Sequence, residues 1–219
     1  FGYVGRIQYG IACRKPDFVD GGDAGNGIEC DNDGSGSAAL PVTRPQLSNF
    51  TFVGPNNATG TAANHNFGLR FRRATQFVLR NSIIIGWQKG GFSMESAATA
   101  NAYVAGTSEY RNNILHSNTA AATYRGDANA LAVITAAALQ TKAESEGCLT
   151  LANADDAQLT LPYYSTSPNF LPKTGSPALT GASFTGMNAF FTTGTFRGAM
   201  GTTNWTTGWT NWDPQATAY

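Results

Sequence analysis

Apolar positions in this chain fall in short runs, and the runs return at a nearly constant interval. The phrase Leu/Tyr-x-Asn occurs as Leu47-Ser48-Asn49, Leu79-Arg80-Asn81 and Tyr110-Arg111-Asn112, so that its copies stand 32 and 31 residues apart. An apolar stretch follows each copy: Phe50 to Val53, Ile83 to Ile85, and Ile114-Leu115. A second phrase, Gly-apolar-polar-apolar, runs alongside it as Gly27-Ile28-Glu29-Cys30, Gly68-Leu69-Arg70-Phe71 and Gly91-Phe92-Ser93-Met94. Alternation of period two is a strand pattern, and Gly at the entry marks a corner. A fixed period of this size predicts a chain that stacks equivalent segments on one another. Runs as apolar as Gln76 to Gly86 suit strands inside a parallel stack better than exposed hairpins.

A bend between strands leaves backbone donors and acceptors unpaired. An inward-pointing Asn can satisfy them and can bond the Asn of the coil above, so Asn49, Asn81 and Asn112 are expected to form a structural ladder. The pattern breaks after Gly126. Asp127 is a good N-cap for a helix over Ala128 to Ala143, with Leu131, Ile134, Ala138 and Leu139 as its apolar stripe. The tail is rich in Thr, Gly and aromatics, including Trp205, Trp209 and Trp212, and is expected to cover the open end of the stack. The organisation expected is one structural domain: coils over 1–126, a helical insertion over 127–146, and a final coil with an aromatic cap over 147–219.

Charge narrows the function. The formal net charge is zero and only 13% of residues are charged, about half the usual share of ~25%. With no basic run to displace counterions, nucleic acid is excluded as a partner. No window approaches the ~18 apolar residues of a transmembrane helix. Three cysteines, Cys13, Cys30 and Cys148, show neither CxxC nor CxxCH spacing, which excludes zinc fingers and c-type haem attachment. Cys13 and Cys30 fit two readings, a disulfide between adjacent coils or two small buried residues. The chain opens at Phe1 on what reads as a strand already under way, with no export signal in view.

Three stretches carry a resemblance: Gly5 to Gly10, Asn26 to Ser37, and Leu47 to Pro55. Together with the closing Gly198 to Trp205 and Trp209 to Pro214, they resemble the later part of a family of secreted Bacteroidetes proteins. The resemblance implies an all-β fold, a right-handed parallel β-helix (solenoid), in a protein that is exported and extracellular or held at the outer-membrane surface. Members largely lack an assigned activity. It also implies an N-terminal half, with further coils and an Asp-rich motif, that precedes Phe1. Ser176-Pro177-Ala178 is similar to the closing coil of many β-helix carbohydrate-active proteins.

Candidate chemistry concentrates near the start. Asp17, Asp20, Asp23, Glu29, Asp31 and Asp33 are six of the 14 carboxylates, packed into 17 residues. Asp31-Asn32-Asp33-Gly34-Ser35 resembles the first half of a calcium loop, yet the twelfth position is Val42, which excludes an EF-hand. A looser Ca²⁺ site built from Asp20, Asp23, Glu29, Asp31 and Asp33 is the metal expectation, beside a hydrated turn as the alternative. A lyase would need a base and a cation, for which Arg70, Arg72 and Arg73 beside Ca²⁺ are candidates. A hydrolase needs two carboxylates across the sugar, and Asp155-Asp156 is the adjacent pair outside the cluster. His65 and His116 have no recognisable partners and read as coil residues. Trp87, Trp205 and Trp209 are candidate glycan-stacking rings, with Tyr163 and Tyr164 beside them. The preferred function is a non-catalytic extracellular or cell-surface structural or adhesive β-solenoid, part of an extracellular assembly and partnered by glycan or other surface proteins. The alternatives are a polysaccharide lyase or glycoside hydrolase, or a glycan-binding module.

Overall fold

The structure, a computed structural model, describes residues 1–19 and 25–218. Its strands come in threes. The first passage is β1 (Arg6–Gln8), β2 (Ile11–Cys13) and β3 (Ile28–Cys30); the second is β4 (Gln46–Ser48), β5 (Thr51–Val53) and β6 (Phe67–Phe71). The third is β7 (Val78–Arg80), β8 (Ile83–Trp87) and β9 (Gly90–Met94), followed by helix α1 (Ala97–Val104). The fourth is β10 (Glu109–Arg111), β11 (Ile114–Ser117) and β12 (Tyr124–Gly126), and then come helices α2 (Ala128–Leu131) and α3 (Ala136–Ser145). A short β13 (Leu149–Thr150) and the antiparallel pair β14 (Leu159–Leu161) and β15 (Asn169–Pro172) complete the set. The sheets run β1-β4-β7-β10, β2-β5-β8-β11-β13 and β3-β6-β9-β12. The chain thus visits three sheets in rotation and lays each new strand parallel to the one three before it.

Both recurring phrases lie in register. Leu47 pairs with Leu79 and Leu79 with Tyr110, which sets the three Asn residues side by side. Ile28, Leu69 and Phe92 align in the third sheet, as do Glu29, Arg70 and Ser93. The glycine that opens the second phrase is required by close approach: a Cβ on Gly27 would lie 2.4 Å from the Gly68 carbonyl oxygen, and one on Gly91 would lie 2.7 Å from that of Thr123.

The Asn residues earn their place first through the backbone. Asn49, Asn81 and Asn112 have φ of 58°, 55° and 56°, the left-handed conformation that Asn tolerates better than other non-Gly residues. In that geometry each corner N–H reaches the next coil, to Arg80 O, Arg111 O and Glu146 O at 3.1–3.2 Å. Tyr9 holds the same corner in the first coil, with φ 66° and its N–H on Ser48 O. The ladder expected of their side chains takes a different form. Asn81 Nδ2 donates to Ser48 Oγ, which donates to Asn49 Oδ1, so a hydroxyl relays the two amides. Asn49 Oδ1 also accepts from Gln8 Nε2 in the first coil, and the remaining amide donors go to the C-terminal segment: Asn49 to Phe196 O, Asn81 to Ser183 O, and Asn112 to Gly181 O. Thr192 bonds Gln8 in the first coil. The tail expected to cover the stack's end therefore runs down its side as a strap across four coils.

Two apolar clusters explain why the middle strands are apolar on both faces. Ile84, Leu115, Phe52 and Trp87 point into the inner cluster, around stacked pairs Phe71–Phe77 at 4.0 Å and Phe92–Tyr110 at 4.3 Å. Ile83, Ile85, Val53 and Ile114 point the other way, against Leu159, Phe170, Ala178 and Met200.

The helical segment departs from expectation. Asp127 does cap a helix, accepting the Ala130 N–H, but the helix stops at Leu131 and restarts at Ala136. Val133, Ile134 and Thr135 intervene, and β-branched residues favour helix weakly; Thr135 then caps α3 by accepting from the Ala138 N–H. α3 lies where a further strand of the first sheet would fall, with the Glu146 carbonyl taking the Asn112 N–H and Leu139 and Ala143 buried in the core. α1 carries no clear sequence signal, since its Ala-rich run shows little apolar stripe; Ser96 caps it, and Ala100 and Tyr103 anchor it. The cysteines are unpaired. Cys30 lies in the inner cluster beside Thr75 and Cys13 packs on the outer one, while burial pushes the Cys13 and Cys148 thiols to about 12.

Candidate functional site

The outward face of the β3-β6-β9-β12 sheet gathers most of the candidate chemistry. Strand alternation sends Leu69 and Phe71 into the core and Arg70 outward. Register then sets Glu29, Arg70, Ser93 and Arg125 in one row across four coils. Arg70 Nε donates to both oxygens of Glu95 at 3.1 Å and its Nη1 lies 3.6 Å from Glu29. Arg125 reaches Glu95 at 3.3 Å and lies over the Phe67 ring, 4.2 Å from its centroid. Arg72 bridges Glu29 and Asp31, and Arg73 takes the second Asp31 oxygen at 2.9 Å. Partly exposed pairs of this kind contribute about 0–1 kcal/mol each, so the row ties coils together more than it drives folding.

That pairing bears directly on the expected Ca²⁺ site. Asp20 and Asp23 lie outside the described residues. Glu29, Asp31 and Asp33 line one open pocket of about 490 Å³ with Phe1 and Gly34. Glu29 and Asp31 face guanidinium groups that would compete with a cation. Asp33 turns to its own loop, accepting from the Ser37 hydroxyl and from the N–H groups of Ser35 and Ser37. The Ser37 hydroxyl, ahead of the backbone bonds, pulls the Asp33 carboxyl down to about 2. Among the described residues no group of three or more His, Cys, Asp or Glu converges as metal ligands.

Of the three expected stacking rings, Trp87 parts from the other two. Trp87 is fully buried in the core, its Nε1 donating to Phe52 O, so it cannot meet a glycan. Alternation from Ile83 and Ile85 would send this side chain outward; Gly86, at φ 72°, breaks the alternation and turns the ring into the inner cluster. Trp205 is half-buried, held by its Nε1 on Ala199 O. Trp209 is 70% exposed and stacks on Trp205 at 6.0 Å. Beside them Tyr9, Phe196, Ala199, Gly201, Thr202 and Thr203 complete a groove of about 210 Å³ with Trp205.

Of the two histidines, His65 is buried with Nε2 at 2.8 Å from Pro16 O. His116 instead meets Asp155, Asn56, Asn118 and Asn153 around a cleft. Sequence reasoning noted His116 and Asp155 separately and did not join them. The coil repeat carried no signal for the pair: Ile114 pairs with Leu149, and the same offset sets His116 on Leu151 rather than on Asp155.

Three parallel sheets visited in rotation, with a left-handed corner repeated in each coil, held by Tyr9 in the first and by Asn in the next three, define the chain as a parallel β-helix protein. The model of the pectate-lyase like β-helix domain matches residues 2–210, and the chain belongs to that family. No curated protein and no solved structure matches it. Among the described residues no helix is long and apolar enough to cross a membrane.

Proposed function

We propose that this chain is a right-handed, non-catalytic β-solenoid that serves as a structural or adhesive element outside the cell or at the outer-membrane surface, within an extracellular assembly. Parallel crossovers wind right-handed in almost all known cases, and the resemblance to secreted Bacteroidetes proteins supports the location. One observation carries the reading. The arginines available for lyase chemistry, Arg70, Arg72, Arg73 and Arg125, each lie on a carboxylate, and most of these pairs join one coil to another. Incubation with pectin, alginate and related polysaccharides tests it: neither unsaturated nor new reducing ends should form, and their appearance would overturn the reading.

A second reading, a glycan-binding module, is favoured by the exposed Trp209 ring stacked on Trp205 beside an aromatic groove. A glycan array should then give a signal that Trp209→Ala abolishes, and an array blank for the wild-type chain would remove this reading.

A further inference from the structure

Away from the ionic row and the tryptophan groove, the coil ends after β5 and β11 meet the short helical turn over Ala154–Ala157. The cleft between them, about 210 Å³, is lined by Asn56, His116, Asn118, Asn153, Ala154 and Asp155. Asp155 and Ala154 also line an adjoining cavity of about 250 Å³ that includes Tyr163 and Thr160. His116 is only 6% exposed. Its Nδ1 accepts the Gly86 N–H at 3.4 Å, which leaves the ring proton on Nε2. Among the described residues no protein atom bonds Nε2, which is not sealed in the core and so stays open to a ligand. That nitrogen is a ready donor at the floor of the cleft.

The surrounding groups are of one chemical kind. Among the described residues the Asn56 amide makes no hydrogen bond, and its left-handed backbone sends its N–H to Gly86 O. Asn118 uses its Nδ2 on Gln88, and its oxygen accepts no hydrogen bond among the described residues. Asp155 takes the Tyr163 hydroxyl on one oxygen at 2.9 Å and keeps the other free. No Lys or Arg lines the His116 cleft itself, so an anionic group there would meet the Asp155 charge; Lys173 lines only the adjoining cavity, with Tyr163. The set instead alternates fixed donors and acceptors beside the flat Tyr163 ring. Vicinal hydroxyls bond such donors and acceptors in turn, and the C–H face of a pyranose packs on an aromatic ring. We infer that the His116–Asp155 cleft binds an uncharged, hydroxyl-rich ligand of the sugar type. The site is independent of the tryptophan groove and does not require the proposed structural role.

The chain has two histidines, so imidazole ¹H–¹⁵N spectra resolve the test. Glucose, galactose, mannose and their short oligosaccharides are titrated to millimolar concentration into the full chain. The expected result is a saturable shift at His116 with His65 unmoved. Asn56→Gly keeps the left-handed backbone, and Asp155→Asn keeps an acceptor for Tyr163; each should weaken binding by about tenfold or more. Trp209→Ala should leave the His116 shift intact. The inference is overturned if none of these sugars shifts His116 saturably, or if Asn56→Gly and Asp155→Asn bind as the wild type does. It is also overturned if the shift disappears with Trp209→Ala, or if Ca²⁺ alone produces it.

Discussion

Asn81 is the corner at which the winding of the chain and the strap meet, and two substitutions there separate the contributions. Asn81→Gly preserves the left-handed backbone and deletes three side-chain hydrogen bonds. These are Nδ2 to Ser48 Oγ and to Ser183 O at 3.1 Å each, and the Ser183 N–H to Oδ1 at 2.8 Å. At a net of about 1 kcal/mol each, the loss is about 3 kcal/mol. Asn81→Ala deletes the same bonds and also forces a Cβ into the left-handed region, adding about 1–2 kcal/mol. Equilibrium unfolding in guanidinium chloride, with the slope held common, reads both as shifts in midpoint. Limited proteolysis supplies a second readout, since a strap freed at Ser183 should be cut earlier within residues 181–198. The reasoning fails if Asn81→Gly costs less than about 1 kcal/mol. It fails equally if the Ala and Gly variants coincide, because then the φ of 55° is not what selects Asn.

Three further outcomes follow from particular side chains. The Tyr110 hydroxyl is buried without a partner while its ring stacks on Phe92, so Tyr110→Phe should keep the stack and stabilise the fold by about 1 kcal/mol in thermal unfolding. Trp87→Ala should cost about 3–5 kcal/mol by denaturant titration, whereas Trp209→Ala, on an exposed ring, should stay within about 0.5 kcal/mol. Burial lowers the His116 pKa, with Asp156 and Asp155 opposing. The unfolded chain therefore takes up the proton first as pH falls, and stability that is present above about 6.5 is lost below it. His116→Gln should flatten that part of the stability–pH curve, and an unchanged slope would refute the assignment.

Much of the architecture was written in local pattern. The two phrases carry both the coil period and its register, because a parallel stack repeats the same steric demands at the same place in each turn. Asn at a left-handed corner and Gly beneath a neighbouring carbonyl are such demands, and each leaves a residue-type signature at fixed spacing. Tyr9 holds a corner without that signature, so the Asn phrase starts only at the second coil. The candidate site was less legible. The acidic cluster near Asp31 and the arginines after Leu69 were each visible, but only register shows that they neutralise one another.

What the sequence determined by itself was therefore the repeat: strand, left-handed corner, strand, with small residues where backbones touch. Tertiary structure alone decided where the non-repeating parts go. The strap lies along the Asn corners, Trp87 turns inward while Trp209 stays out, and His116 meets Asp155. The physical reason is that repeating contacts are encoded within one turn of chain, whereas these are made between segments 39 to 147 residues apart that share no pattern.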